Sequence, residues 1–253
     1  MTADQYLRRL LDGQALSEAE MKALRSLRER IEGQLARFEG SPRFYYAGSY
    51  GKDTIIRANY DLDIVMYWPT TCTHSLAALF EAVGRELKKH WKAVNQKNVA
   101  WSLPFEGGFH IDIVPGRAID PAFRYANLYR STTGSTLQTS IKAHIDAVRK
   151  SGRRELIRVL KLWKVRRRVP VKSFVLEILG IEGAKGTSLT DLGPQVSAAL
   201  AHIRDGIEVR RIIDPANSNN DLAETMTAQE KKATRDAAAA ARAARTWDEI
   251  FRR

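Results

Sequence analysis

Apolar positions along the chain switch between two periods, and the switches mark out its elements. Residues 4–12 and 17–38 read as helices. After Ser17, which suits an N-cap, Met21, Leu24, Leu27, Ile31 and Leu35 form a seam at helical spacing, ended by Gly40, Ser41 and Pro42. Phe44-Tyr45-Tyr46-Ala47 reads as a short strand entering a Gly48-Ser49 turn, and Asp61 to Tyr67 as a longer one. On that strand Leu62, Ile64 and Met66 point into the core while Asp61 and Asp63 share the other face. A loop over 69–73 leads to an amphipathic helix from Ser75 to Trp91, with Leu76, Leu79, Phe80, Val83 and Leu87 on one face. Val99–Leu103 and Phe109–Pro115 read as strands on either side of a Gly107-Gly108 turn.

The second half reads differently. Residues 131–140 are a polar, Ser/Thr-rich stretch, expected to cross between two lobes. Helices follow over about 137–150 and 153–168, the second burying Leu156, Val159, Leu160 and Trp163, with Lys161 and Lys164 off that face. Arg166-Arg167-Arg168 ends the helix, where cations suit its macrodipole as well as they would suit RNA. Val169-Pro170-Val171 breaks it, and Lys172–Leu179 opens the next helix, with Ser173 near its start. A helix from Leu189 to Arg204, interrupted near Gly193-Pro194, precedes a short strand at Ile212-Ile213 and an Asp214-Pro215 turn. From Thr225 on, one long alanine-rich helix anchored by Trp247 is expected. The fold class is α/β (α+β): a small mixed sheet with helices over 1–130 and a helical lobe over 131–253.

Composition narrows the picture. The 253 residues carry 41 Lys and Arg against 29 Asp and Glu, a net charge of +12. Such basicity suits nucleotides, nucleic acid or acidic lipid, or simply a solvated surface. No apolar run is long enough to span a membrane, and the start, Met-Thr-Ala-Asp-Gln-Tyr, has no secretion-signal pattern. Cys72 is the only cysteine, which excludes an internal disulfide and a multi-cysteine zinc site. A cytoplasmic protein is expected. The five histidines lack ligand spacing.

The chemistry concentrates in Gly48-Ser49-Tyr50-Gly51-Lys52-Asp53-Thr54 and the two aspartates that follow. Parallel carboxylates repel each other unless a cation sits between them. Their hard oxygens suit Mg²⁺, which is often shared with substrate phosphates. Backbone N–H groups at a Gly-Ser turn favour phosphate. Asp112, on the strand face opposite Ile111 and Ile113, would complete a three-carboxylate site. His110 shares its face as a polar neighbour. Each piece alone has a bland reading, a turn or a solvated charge; the combination is what points to phosphoryl chemistry.

Gly-Ser, then Asp-x-Asp, then a later Asp resembles the polymerase-β-like nucleotidyltransferases. Leu-Ile-Arg-Val-Leu-Lys-Leu-Trp at 156–163, Lys-Ser-Phe-Val-Leu-Glu-Ile-Leu at 172–179 and Ile-Ile-Asp-Pro-Ala-Asn at 212–217 are similar to the helical lobe of the oligoadenylate synthase group. That group includes the bacterial CD-NTases, cyclic oligonucleotide synthases of anti-phage (CBASS) defence. The resemblance covers roughly residues 17–253 and implies an active-site cleft between the lobes. It implies that Gly48 and Ser49 bind a donor triphosphate, and that Asp61, Asp63 and Asp112 are catalytic and hold two Mg²⁺, for which Mn²⁺ can substitute. It further implies phosphate contacts from Lys161 and Ser173, base stacking on Phe174, and regulatory protein partners from a defence operon. Lys52 departs from a frequent Arg in that loop, and its role is open. No zinc-binding insertion of the kind in animal cyclic GMP-AMP synthase is present.

Three functions follow as alternatives. The first is a synthase joining nucleoside triphosphates, ATP or GTP, into a linear or cyclic oligonucleotide, with Asp112 helping to deprotonate the attacking ribose hydroxyl. The second is a transferase adding nucleotides to an RNA or tRNA end, supported by the net charge and the arginine run. The third is a nucleotide-binding regulator without catalysis, which the intact aspartate set opposes.

Overall fold

A computed structural model describes residues 1–252. In chain order, α1 (Ala3–Asp12) and α2 (Glu18–Leu35) lead into β1 (Arg43–Tyr46), α3 (Gly48–Lys52), β2 (Leu62–Trp68) and α4 (Leu76–His90). β3 (Asn95–Gln96), β4 (Trp101–Pro104), β5 (His110–Ala118), β6 (Ala126–Tyr129) and β7 (Thr136–Thr139) complete the main sheet. Then come α5 (Ile141–Lys150), α6 (Arg154–Arg166), α7 (Ser173–Gly183) and α8 (Leu192–Gly206), a β8–β9 hairpin (Ile213–Asp214, Asn217–Asp221), α9 (Ala228–Ala243) and α10 (Trp247–Phe251). The chain packs as two compact units. One comprises residues 16–52 and 60–145, the other residues 1–15, 53–59 and 146–253.

The first unit is built on a mixed seven-stranded sheet. Its order runs β1-β2-β5-β4-β3, and β6 pairs with both β5 and β7. Only β2 and β5 run parallel; the other pairings are antiparallel. Leu62, Ile64 and Met66 are fully buried, as the alternation predicts. α2 begins at the Ser17 cap, where a capping box with Glu20 satisfies two end groups. α4 presses closely on β4: a Cβ on Gly84 would lie 2.3 Å from the Trp101 ring, so only glycine fits. Trp101 Nε1 donates to the Phe80 carbonyl at 2.8 Å and its ring meets that of Phe80 at 5.0 Å.

The second unit is helical. Leu156, Val159, Leu160 and Trp163 of α6 are buried as expected and pack with Val175, Leu176 and Leu179 of α7 and Val196, Ala199 and Leu200 of α8. Four expectations change. The polar stretch at 131–140 is a turn followed by β7, because Thr136 to Thr139 find backbone partners on β6; α5 therefore starts at Ile141, and the chain passes into the second unit near 145/146 instead of 130/131. Gly193-Pro194 does not interrupt a helix. α8 starts at Leu192 behind the Asp191 cap, and a first-turn proline has no lost hydrogen bond to answer for. The C-terminal stretch is two helices, since Thr246 accepts from the Glu249 N–H and caps a separate α10. Lys161 is 8 % exposed and lies on the buried face of α6, while Lys164 is half-buried.

Candidate active site

The parallel register of β2 and β5 puts Asp63 directly beside Asp112. Asp61, two residues before Asp63, shares its face by strand alternation. His110, two before Asp112, approaches both outer carboxylates: its Nε2 is 3.6 Å from Asp61 and 3.8 Å from Asp112. The three aspartates are partly buried, and Leu62, Ile64, Ile111 and Ile113 behind them are fully so. Neighbouring strands of one sheet thus bring together residues some fifty positions apart.

Burial, and then the charges of Asp61 and Asp112, push the Asp63 carboxyl up to about 7, against the opposing pull of Lys52 and Lys97. Lys52, whose role the sequence left open, is buried at the end of α3 and acts on Asp63 through its charge. Lys97 was missed altogether. Its ammonium lies 2.9 and 2.7 Å from the two Asp112 oxygens. No periodicity singles it out; only the folding of the β3–β4 hairpin brings it there.

Gly48 adopts φ +54°, and a Cβ on it would lie 1.7 Å from Asp63 Oδ2. A side chain at 48 is therefore excluded both by backbone strain and by the carboxylate it would displace. Ala47 N–H donates to the Asp63 carbonyl at 3.0 Å, tying the turn to β2. Ser49 Oγ is buried with no hydrogen-bond partner, so it is free to donate to a bound oxygen.

Among the described residues, no three His, Cys, Asp or Glu side chains are gathered as a ready-made metal site. The chemistry of the donor set nevertheless fits a hard divalent cation: carboxylate oxygens only, with burial and then mutual repulsion raising the Asp63 carboxyl to about 7. A pH dependence follows. Asp63 binds its proton more tightly folded than unfolded, so the metal-free protein loses stability as pH rises from about 4 to about 7 and levels off above. Thermal melts over that range check this: relative to Asp63→Asn, the unmodified chain should lose stability as pH rises.

The other expected site residues lie in the helical unit. Lys161 Nζ is 2.8 Å from buried Glu177 Oε1 and donates to Thr54 Oγ1 at 3.0 Å. Ser173, exposed at the start of α7, accepts from Lys164 Nζ at 2.9 Å. Phe174 is partly buried against the helical core.

The family model of the Second Messenger Oligonucleotide or Dinucleotide Synthetase (SMODS) domain matches residues 1–151. No curated protein matches the chain. Among solved structures, CdnC of E. coli MS115-1 with ATP is 21 % identical, with a TM-score of 0.78 over 99 % of this chain and 98 % of that one. The same protein in its CdnC:HORMA-deltaN complex, also 21 % identical, gives a TM-score of 0.76 over 98 % and 97 %. Vibrio cholerae DncV cyclic AMP-GMP synthase, in complex with the linear intermediate 5' pppA(3',5')pG, is 16 % identical, with a TM-score of 0.75 over 95 % and 90 %.

Proposed function

The chain belongs to the Second Messenger Oligonucleotide or Dinucleotide Synthetase family and is a nucleotidyltransferase of the CD-NTase type; within that family we propose that it joins ATP, GTP or both into a cyclic or linear oligonucleotide messenger. The observation that carries the reading is the Asp63–Asp112 register pair with Asp61 beside it, a carboxylate cluster whose own charge favours a cation.

Asp61, Asp63 and Asp112 would hold divalent metal, Mg²⁺ or in its place Mn²⁺, with two ions in the full site. When bound, such ions neutralise charge developing on the α-phosphate and the leaving pyrophosphate. Gly48 leaves room for the Asp63 carboxylate beside the turn, and Ser49 Oγ donates to a donor-phosphate oxygen. Asp112 accepts the proton of the attacking ribose hydroxyl. In the helical unit, Ser173 and Lys161 would contact phosphate, Lys164 would join them through Ser173, and Phe174 would stack on a base. Lys161 has a structural duty as well, since it holds Thr54 at the end of the Gly48–Thr54 stretch. The proposal includes a protein partner, supported by the relative solved in complex with HORMA-deltaN, and a role for the messenger in anti-phage signalling.

Arg166 and Arg167 bear on the RNA-tailing alternative. Their guanidinium groups donate to the Phe251 and Arg252 carbonyls at 3.1 and 3.5 Å, so the run ties α6 to the C-terminal helix. Neutralising Arg166, Arg167 and Arg168 together should leave synthesis from nucleoside triphosphates largely intact and lower stability by about 1–2 kcal/mol. Phe174→Ala should reduce yield or scramble base preference, stacking being worth ~1–3 kcal/mol. The deciding assay incubates the protein with four labelled nucleoside triphosphates and Mg²⁺ or Mn²⁺, with and without RNA. Products formed without RNA uphold the messenger synthase. Addition seen only with RNA, and lost in the triple arginine variant, overturns it in favour of RNA tailing.

A further inference from the structure

We propose that Lys97 is a resident counter-ion of the carboxylate site, held on Asp112 when metal is absent and displaced from it by a divalent cation, so that it sets the threshold for metal loading. The inference rests on the metal-binding reading of the three aspartates. Lys97 Nζ contacts both Asp112 oxygens, at 2.9 and 2.7 Å, and so takes up the coordination capacity that a divalent ion at Asp112 would need. Its charge also acts on Asp63, so the one ammonium serves two of the three carboxylates. A cation that occupies a ligand oxygen and repels an incoming ion lowers affinity on both counts.

The arrangement is built into the backbone. Lys97 sits in the turn between β3 and β4, closed by its own N–H donating to the Ala100 carbonyl at 2.8 Å. The Ser/Thr turn at 131–134 clamps that turn from the side. Ser131 Oγ donates to the Lys97 carbonyl at 3.1 Å and Ser131 N–H to the Asn98 carbonyl at 2.7 Å. Thr132 Oγ1 donates to Asn98 Oδ1 at 2.8 Å. This gives the opening of the polar stretch a purpose beyond connection: it fixes the loop from which Lys97 reaches across β4 to β5. The register supports the reach, because Ser102 of β4 lies between Asn95 of β3 and Asp112 of β5.

The test is Mn²⁺ binding to the nucleotide-free protein, followed by the electron paramagnetic resonance of free Mn²⁺ at constant ionic strength. Lys97→Met should bind Mn²⁺ about tenfold more tightly than the unmodified chain. Lys97→Arg, whose guanidinium can still pair with a carboxylate, should stay close to the unmodified value. Unchanged or weaker binding by Lys97→Met overturns the inference. Ser131→Ala with Thr132→Val, which loosens the clamp without touching the ammonium, should shift affinity the same way by a smaller factor. That pair, with Lys97→Gln, carries the test should Lys97→Met fail to fold. Asp61→Asn with Asp63→Asn should abolish binding in either background. Persistent binding there overturns the carboxylate reading itself, whereas its loss alongside an unchanged Lys97→Met overturns only the role of Lys97.

Discussion

Asp61→Asn and Asp63→Asn should each reduce messenger synthesis by about 10³-fold or more, equivalent to about 4 kcal/mol in the barrier, while leaving the protein folded. The reason lies in what each carboxylate faces. Asp63 lies on β2 and Asp61 just before it, and Leu62, Ile64 and Met66, which help hold the strand in the core, point the other way and are untouched by the change. Asparagine keeps the shape and removes the charge that binds a divalent ion. For Asp63 a second effect runs in the opposite direction. Its carboxyl is pushed up to about 7 by burial and by its two acidic neighbours, so in the metal-free protein above that pH it is a source of repulsion. The neutral amide relieves this, and Asp63→Asn should melt at an equal or higher temperature than the unmodified chain at pH 8. Loss of synthesis with undiminished stability would mark the residue as catalytic. Wild-type synthesis by the doubly substituted chain would sink the assignment.

Lys161→Ala should be the most destabilising single change among the expected nucleotide contacts, at about 3–5 kcal/mol, because it removes the ammonium that lies 2.8 Å from the buried Glu177 carboxylate. Glu177 is 2 % exposed and Lys161 is 8 % exposed, so the pair is shielded from bulk solvent. Lys164→Ala, at a half-buried position with a hydrogen bond to Ser173, should cost under about 1 kcal/mol. Denaturant unfolding separates the two. Replacing the buried pair by apolar groups, Lys161→Met with Glu177→Leu, should recover most of the loss. The same double variant isolates the proposed phosphate contact: ATP affinity near the unmodified value would leave Lys161 a structural role only, and a drop of about tenfold or more would add the phosphate.

These two cases show how unevenly the chain discloses itself. Asp61, Asp63 and Asp112 were legible because alternation is local: a two-residue period puts Asp63 of β2 and Asp61 just before it on one face without reference to any other element. Gly48 and Ser49 were legible for a similarly local reason, since Gly48 takes a positive φ where β1 gives way to α3. The α6 phase was only partly legible. Leu156, Val159, Leu160 and Trp163 announced one buried face, but Lys161 is buried beside them, and its partner Glu177 lies on the next helix, where no spacing within α6 could indicate it. A charged side chain reads as exposed until the opposite charge that answers it is located.

The amino-acid sequence by itself determined the mixed sheet, the helical second half, the aspartate set and the Ser17 cap, because each depends on periodicity or on residues adjacent in the chain. Tertiary structure alone decided that the Ser/Thr stretch supplies a strand, since Thr136–Thr139 have weak intrinsic patterning and become β7 only by pairing with β6. It alone split the alanine-rich C-terminus, where Thr246 caps a short helix that Arg166 reaches from α6. It also placed Lys97 on Asp112 and Lys52 near Asp63, because both depend on side chains meeting across elements, and electrostatic attraction at a few ångströms leaves no trace in the spacing of residues along a chain.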